Sequence, residues 1–347
     1  MRGKGINFDT GFLSAGTTTR EPFDLEVVRR EMRVIRDDLH CTAVRITGGD
    51  PDRLEIASAC AAEAGLEVWF CPFTNGLTQD ALLELLADCA KRAERLRQSG
   101  ADVVFLTGSE VSLFTIGFFP GDTLDDRIAL IRDPIRVRAA IGEVRARMKD
   151  FLRRAVEVVR ARFNGKVSYA SLPLEDVDWT LFDIIATDAA YRTKANAAHY
   201  RESIRTFVAQ GVALGKPVAI TEFGCGTFRG AADFAGRDPT FTDVVWEDGR
   251  ATKLTGEYER NEEEQAVYLS ELLDIFDVEG VDAAFVYTFA RYDFLHRDEP
   301  DQDLDRVSAG VVKVLDGRTT AREERYLDMP WAPKAAFRML AEVYQSA

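Results

Sequence analysis

The sequence has few of the residues that build metal sites or disulfide frameworks. Its 347 residues include three widely spaced histidines and five cysteines, with no Cys-x-x-Cys pair and no His-Glu-x-x-His run. Because a zinc site needs such ligands at close spacing, we expect no metal, and nothing else indicates a cofactor. The odd number of scattered cysteines is more typical of reduced core residues in a cytoplasmic protein than of disulfides.

Long apolar runs and basic blocks are also missing. No stretch approaches the roughly 18 apolar residues that span a bilayer, and residues 1–7 lack the apolar core of a signal peptide. The formal net charge is −14, from 58 acidic and 44 basic residues. We therefore expect neither nucleic acid nor a membrane as partner, and instead a small molecule bound in the cytoplasm. The residues leave the oligomeric state open.

Short apolar segments alternate with helical periodicity along the chain. Strands are predicted at residues 5–9, 43–47, 66–73, 103–110, 166–170, 182–188, 217–224 and 283–289. Helices are predicted at residues 24–40, 51–64, 78–98, 133–163, 194–214, 261–278 and 331–344. This repeated alternation predicts a parallel α/β fold, a single (β/α)8 TIM barrel that forms one domain over residues 1–347. A doubly wound open sheet is the alternative, but its G-x-G-x-x-G fingerprint is missing.

Long loops at residues 111–132, 226–260 and 290–330 follow strands four, seven and eight. We expect all three on the face formed by the carboxyl ends of the strands, where catalytic groups of barrels lie. Phe114, Phe118 and Phe119 in the first loop could form an apolar rim for a ligand or pack onto the barrel. For His296 and its charged neighbours in the third loop, a solvated segment is favoured over a ligand site.

Two glutamates end two of the predicted strands. Glu110 closes strand four, and Glu222 closes the apolar strand seven. Glycoside hydrolysis by the common route needs two carboxyl groups, one that donates a proton and one that is ionised. Separate strand tips can give the two groups different pKa values, as this division requires. We therefore predict that Glu110 and Glu222 are catalytic.

Four further polar residues lie near the same strand ends. Arg45 in strand two should point into the barrel, where a cation is costly unless paired; a structural salt bridge is the alternative to a site role. Asp9 at the tip of strand one and Asp188 after strand six are predicted substrate contacts, with a turn role as the alternative. Tyr191 belongs either to the site or to loop packing.

The two glutamates resemble the catalytic pair of a large clan of retaining glycoside hydrolases built on the (β/α)8 barrel, which carries glutamates at the ends of strands four and seven. Strand two, Val-Arg-Ile-Thr, looks like that clan's arginine-bearing strand, and the segment after strand six resembles the region that supplies its tyrosine. The resemblance implies that Glu110 is the acid/base and Glu222 the nucleophile. It also implies that Arg45 and Tyr191 orient Glu222.

Three positions depart from the pattern of that clan. Ser109 precedes Glu110 where the clan usually has an asparagine that contacts the sugar 2-hydroxyl, and a serine has a shorter reach and no amide. Strand three lacks the histidine of many members, and strand eight ends in Phe289 where tryptophan is common. By position, the resemblance implies substrate contacts for Ser109 and Phe289. Residues 38–45 and 222–225 are also similar to actinobacterial proteins labelled abortive infection protein, a label that implies phage defence.

The leading hypothesis is a retaining glycoside hydrolase, a glycosidase that acts on a small glycoside or oligosaccharide. One alternative is a barrel that binds a carbohydrate or a protein partner without hydrolysing it, which Ser109 and the missing histidine motivate. Another is a lyase or isomerase-type tailoring enzyme that uses the same two carboxyl groups for proton transfer. Hydrolysis of aryl glycosides would distinguish the first hypothesis from the other two.

Overall fold

Eight parallel strands form the centre of the computed structural model, which describes residues 1–14, 17–236, 242–247, 250–317 and 323–346. The strands are β1 (Gly3–Asp9), β2 (Ala43–Gly48), β3 (Glu67–Pro72), β4 (Val103–Ser109), β5 (Lys166–Ala170), β6 (Ile185–Thr187), β7 (Val218–Phe223) and β8 (Ala283–Val286). Hydrogen bonds join them in the order β5-β4-β3-β2-β1-β8-β7-β6. A parallel bridge between Ser171 and Thr187 links the ends of β5 and β6. The predicted (β/α)8 barrel is thereby confirmed.

The interior of the barrel changes from apolar to polar towards the carboxyl ends of the strands. The apolar layer consists of Ala43, Trp69, Cys71, Val104, Leu106, Ala170, Ile184, Ala186, Ala219, Ala283 and Phe285. Side chains alternate between the two faces of a strand. The inward positions of β1 and β2 therefore include Asn7 and Arg45, which lie opposite each other in register. A polar cluster thus lies above the apolar layer, at the end where the long loops begin.

Helices follow most of the strands and cover the barrel. They are α1 (Leu25–Arg33), α2 (Pro51–Glu63), α3 (Gln79–Gln98), α4 (Val111–Phe114), α5 (Leu124–Ile131), α6 (Pro134–Arg160), α7 (Tyr200–Leu214), α8 (Glu262–Glu279) and α9 (Ala335–Ser346). Asp50 and Asp133 cap α2 and α6 by accepting backbone hydrogen bonds, and a proline occupies the first turn of each helix. These two starts follow from the preference of aspartate for the cap and of proline for the first helical position.

Three helix boundaries differ from the prediction. The helix expected over residues 194–214 begins only at Tyr200. The helix expected over residues 24–40 is α-helical only to Arg33 and continues as a π-helical segment, Val34–Asp38. The last helix begins at Ala335 because Trp331–Pro333 forms an antiparallel strand with Val312–Val314. That pairing satisfies backbone groups that the predicted helix would have used.

The loops after β4, β7 and β8 contain secondary structure of their own. The first holds α4 and α5, and the second holds a hairpin of Val244–Glu247 and Arg250–Leu254. Arg260, at the end of the second loop, forms salt bridges with Asp303 at 2.9 Å and Asp305 at 3.0 Å in the third. The second and third loops are therefore joined by buried carboxylates rather than lying separately on the barrel.

The structure corrects one expectation about these loops and decides between two alternatives for another. His296 is not part of a solvated segment, because its Nδ1 lies 2.9 Å from Asp303 in the ion-paired cluster. Phe118 and Phe119 are buried in the core and cannot form an exposed rim. Phe114 is partly exposed and packs with other rings at the start of the loop.

All five cysteines are buried and unpaired. Within the described ranges, no helix combines the length and apolar character needed to cross a membrane. The same part of the chain brings together no set of three or more His, Cys, Asp or Glu side chains suited to a metal ion.

Candidate active site

Arg45 lies at the centre of the polar end of the barrel and is fully buried. Its Nη1 donates to Oδ1 of Asp188 at 3.0 Å and to Oε1 of Glu222 at 2.9 Å. The same nitrogen lies 3.2 Å from the side-chain oxygen of Asn7. A buried guanidinium is tolerated only with such partners. The structure therefore brings three predicted site residues, Arg45, Asp188 and Glu222, into direct contact.

Asp188 connects the end of β4 to the Arg45 cluster. Its Oδ2 accepts hydrogen bonds from the Ser109 hydroxyl at 2.5 Å and from Nη2 of Arg45 at 3.3 Å. Ser109 and Asp188 are both buried. The Ser109 hydroxyl therefore bonds within the protein, and it holds Asp188 in position beneath the mouth of the barrel.

Tyr191 reaches Glu222 from the loop after β6. Its hydroxyl donates to Oε2 of Glu222 at 3.2 Å, whereas Arg45 takes Oε1. Both carboxyl oxygens are held, so the orientation of the group is fixed. The Glu222 side chain still keeps 12% of its surface exposed, which leaves it reachable from the mouth.

Glu110 is the first residue of the loop after β4 and is partly exposed. Its backbone is left-handed, with φ 46° and ψ 41°, a conformation that side chains rarely adopt and that clusters at functional sites. Its backbone nitrogen donates to the carbonyl of Ala170 at 3.0 Å. Across the described ranges, its carboxyl group has neither a hydrogen-bond donor nor a cation in contact. Glu110 is thus the free carboxyl of the pair.

One β-bulge directly precedes Glu110, and a second contains Glu222. Leu106 and Ser109 of β4 are three residues apart, but the residues of β5 that pair with them are only two residues apart. Likewise, Ile220 and Phe223 of β7 are three residues apart, and their partners in β8 are two residues apart. Ile220 and Phe223 both lie in the outer core. Because a bulge shifts the alternation of side chains, Glu222 turns into the barrel between them.

Burial and nearby carboxyl groups favour the protonated form of Glu110. Burial raises its pKa well above the usual value, and Asp188, Glu222 and Glu175 raise the pKa further. Arg45 lowers the pKa of Glu110, but it makes no contact with the carboxyl. The group is therefore suited to donate a proton at neutral pH.

Glu222 is the easier of the two carboxyl groups to ionise. Burial and Asp188 raise its pKa to about 8, while the direct hydrogen bonds from Arg45 and Tyr191 lower it. Among the residues that the structure describes, none donates such a bond to Glu110. The pKa of both groups is raised, but only Glu222 accepts hydrogen bonds that favour its carboxylate form. This difference is the one that separates a nucleophile from an acid.

Comparison with known proteins identifies no family, since no family model matches the sequence and no curated protein matches it. Among solved structures, a GH113 beta-mannanase from Alicyclobacillus acidocaldarius has a TM-score of 0.60 at 14% identity, covering 99% of this chain and 97% of that one. A beta-glucuronidase of Parabacteroides merdae has a TM-score of 0.55 at 14% identity, covering 99% of this chain and 36% of that one. This chain shares its fold with glycoside hydrolases. It spans about a third of the length of the beta-glucuronidase.

A third solved structure extends the likeness to another enzyme. The endo-beta-mannanase/endo-beta-glucanase of Prevotella bryantii has a TM-score of 0.50 at 10% identity, covering 99% of this chain and 48% of that one. At such identities the likeness concerns the fold alone. The resemblance to proteins labelled abortive infection protein stays a prediction.

Asp9 ends β1, but its carboxyl is already bonded to the following segment. Oδ1 accepts a hydrogen bond from the backbone nitrogen of Gly11 at 2.9 Å, and Oδ2 accepts one from the Thr19 hydroxyl. Burial raises the pKa of Asp9, and these two bonds lower it. The contacts are those of a residue that shapes the loop after β1.

Phe289 does not reach the mouth of the barrel. Its ring is fully buried and packs against Phe8 at 6.3 Å and Trp331 at 5.3 Å between centroids. The predicted substrate contact is therefore corrected, because Phe289 faces the outer core. Strand β8 ends at Val286, and the partly exposed aromatic residue at this tip is Tyr287.

Asn7 is a site residue that the sequence prediction missed. It is 1% exposed, it accepts a hydrogen bond from Arg45, and its amide nitrogen donates to the carbonyl of Thr221 at 2.9 Å. A signal was present, since Asn7 is a polar residue flanked by apolar ones, two positions before the end of a barrel strand.

Tyr169 and Glu175 form a second group, behind Glu110, that the prediction also missed. The Tyr169 hydroxyl lies 2.9 Å from each oxygen of the Glu175 carboxyl. It also accepts a hydrogen bond from the backbone nitrogen of Val111 at 2.9 Å. Glu175 lies outside the barrel strands, so no strand pattern indicated its position.

Proposed function

We propose that this protein is a glycosidase, a retaining glycoside hydrolase acting on a small glycoside or oligosaccharide through a single barrel domain. Glu110 is the acid/base and Glu222 the nucleophile. The observation that carries the proposal is the unequal support of the two carboxyl groups. Arg45 and Tyr191 hold Glu222, whereas Glu110 is free and favoured in its protonated form. The glycoside-hydrolase fold supports the same assignment.

In the first step, the Glu222 carboxylate attacks the anomeric carbon while Glu110 gives its proton to the glycosidic oxygen. The bond from the anomeric carbon to that oxygen breaks, and the aglycone leaves as an alcohol. The sugar is then held as an ester on Glu222. Arg45 stabilises the carboxylate before attack, since its Nη1 lies 2.9 Å from Oε1.

In the second step, the Glu110 carboxylate takes a proton from water, and the water oxygen attacks the same carbon. The ester bond breaks, Glu222 leaves as a carboxylate, and Glu110 is protonated again. Two inversions give net retention of the anomeric configuration. Asp188 supports both steps indirectly, because it fixes the guanidinium of Arg45.

Activity on a panel of aryl glycosides tests the proposal. We expect hydrolysis by the wild type, and a loss of roughly 1,000-fold or more in kcat for E222Q with the fold intact. The matched control is E264Q, which changes a partly buried carboxyl on α8 outside the site and should retain activity. Equal activity of E222Q and the wild type would contradict the assignment.

One observation favours a second candidate, a barrel that binds a carbohydrate without hydrolysing it. The Ser109 hydroxyl donates its proton to Asp188 at 2.5 Å, so it cannot also donate to the sugar 2-hydroxyl. Binding of a sugar by calorimetry, together with no hydrolysis of any glycoside in the panel, would support this candidate over the first.

A further inference from the structure

Glu110 projects from a turn whose bonds come from the residues behind it. The two following backbone nitrogens, those of Val111 and Ser112, donate to the Tyr169 hydroxyl at 2.9 Å and to Oε1 of Glu175 at 3.1 Å. These bonds secure the first residues of α4. They thereby secure the left-handed residue that immediately precedes the helix.

Glu175 is built firmly into the protein. It is 1% exposed and accepts hydrogen bonds from Tyr169, from Ser112 and from the backbone nitrogen of Leu172 at 2.8 Å. In the ranges that the structure describes, no arginine or lysine forms a salt bridge with it. Burial raises the pKa of Glu175 to about 7, and the hydrogen bonds lower it. When ionised, its charge is therefore balanced by hydrogen bonds alone.

We propose that Glu175 and Tyr169 are positioning residues for Glu110. They hold the left-handed turn from which its carboxyl projects, and they place a buried negative charge behind it. The inference rests on the proposed function, in which Glu110 is the acid. A nearby carboxylate favours the protonated form of a second carboxyl group, and that form is the one that gives its proton to the leaving group.

Other charged groups also face Glu110, but they serve the nucleophile as well. Asp188 and Glu222 raise its pKa, and Arg45 lowers it. These three side chains bond to one another, so replacing any of them disturbs Glu222 too. Glu175 bonds to none of them, which makes it the group that can be changed with the Arg45 cluster intact.

Carbon-13 NMR of protein labelled at the glutamate δ carbon tests the inference directly. E175Q removes the charge and keeps the shape, and E110Q identifies the Glu110 resonance. We expect the titration midpoint of Glu110 to move to lower pH in E175Q. The control is E31Q, since Glu31 is also fully buried and accepts a hydrogen bond from a tyrosine, Tyr292, although it also forms a buried salt bridge with Arg20. An unchanged midpoint in E175Q, or an equal movement in E31Q, would overturn the inference.

Y169F gives an independent test, which remains possible if E175Q does not fold. It removes the hydroxyl that donates to Glu175 and accepts from Val111. Without that donor, Glu175 holds its proton to higher pH and presents less charge. The Glu110 midpoint should therefore move to lower pH again, and a midpoint equal to that of the wild type would count against the proposal.

Kinetics separate this inference from the proposed function. For aryl glycosides with poor leaving groups, kcat/KM of E175Q should fall roughly 10- to 100-fold. The alkaline limb of its kcat/KM profile against pH should also move to lower pH. For dinitrophenyl glycosides, whose leaving group needs no proton, we expect no loss. Equal losses on both substrates would contradict a positioning role. If the wild type hydrolyses no glycoside, the proposed function fails, while the NMR midpoints still decide the role of Glu175.

Discussion

In the folded protein, Glu222 binds its proton more tightly than in the unfolded chain, because burial and Asp188 raise its pKa from 4.5 to about 8. The stabilisation from this proton is complete below the unfolded pKa and is lost as the pH rises through the folded pKa. E222Q cannot ionise at this position, so its stability should fall less than that of the wild type between about pH 5 and about pH 9. Thermal unfolding of both proteins across this range measures the difference. Parallel curves would show that the site does not bind this proton.

Tyr191 is one of the two groups whose hydrogen bonds favour the ionised form of Glu222, beside Arg45. Its hydroxyl donates to Glu222 at 3.2 Å and lowers the pKa of that carboxyl. In Y191F the acidic limb of the kcat/KM profile should therefore move to higher pH, with a loss of roughly 10-fold in kcat. The two carboxyl groups titrate as a coupled pair, so neither limb of the pH profile reports the pKa of a single residue. The measurement is therefore the shift of the acidic limb between wild type and Y191F, not its absolute pH.

A neighbouring tyrosine provides the control for Y191F. Tyr200 is buried, and its hydroxyl donates to the carbonyl of Ala190 at 2.8 Å rather than to a site residue. Y200F should leave both limbs of the profile in place. A shift of the same size in Y200F and Y191F would indicate a general loosening of the loop after β6.

At the scale of single elements, the bulge at the end of β4 determines where Glu110 points. Gly108 has a φ of 122°, and a Cβ there would come within 2.7 Å of Val111. G108A should destabilise the fold by about 1–3 kcal/mol and reduce kcat, because the clash falls on the residue after Glu110. Denaturant unfolding and steady-state kinetics measure the two effects.

Gly142 in α6 offers a matched control for G108A. A Cβ at Gly142 meets nothing within 4 Å, and the residue lies inside a helix. G142A should therefore stabilise the protein by about 0.5–1 kcal/mol and leave kcat unchanged. If both substitutions had the same effect, the argument from the bulge would fail.

Strand positions at the barrel ends were predictable from the sequence. A short apolar run followed by polar residues marks the end of a buried strand, and this pattern placed Glu110 and Glu222 at the mouth. It failed at Phe289, because β8 ends three residues earlier than its apolar pattern suggests. A run of apolar residues does not distinguish a strand from buried chain that follows it.

Contacts between elements were beyond the reach of a sequence pattern. The link from Tyr169 and Glu175 to the residues after Glu110 depends on how a loop folds back onto β5. The Ser109–Asp188 bond depends on the bulge that turns Ser109 inward. Neither arises from spacing along the chain. Asn7 is different, since its inward position follows from the alternation that already placed Asp9.

At the scale of the whole molecule, the charge of the protein leads to a prediction about the substrate class. The net charge is −14, and the site holds Glu110, Asp188 and Glu222 around one guanidinium, that of Arg45. An anionic sugar would be repelled both on approach and when bound. Aryl hexosides without charge should therefore have kcat/KM values roughly 10-fold or more above those of the matching glucuronides.

Salt provides the check on this electrostatic argument. Added salt screens exposed charges, so the preference for neutral substrates should shrink as ionic strength rises. A glucuronide that is the better substrate at low salt would contradict the prediction, despite the shared fold with a beta-glucuronidase.

Trapping the covalent intermediate tests the central claim most directly. An activated 2-deoxy-2-fluoro glycoside slows the second step more than the first, so the sugar stays bound to the nucleophile. Mass spectrometry of the digested protein should find it as an ester on the peptide that contains Glu222, and E222Q should stay unlabelled. A label on another residue, or turnover without any ester and with inverted anomeric configuration, would contradict the account.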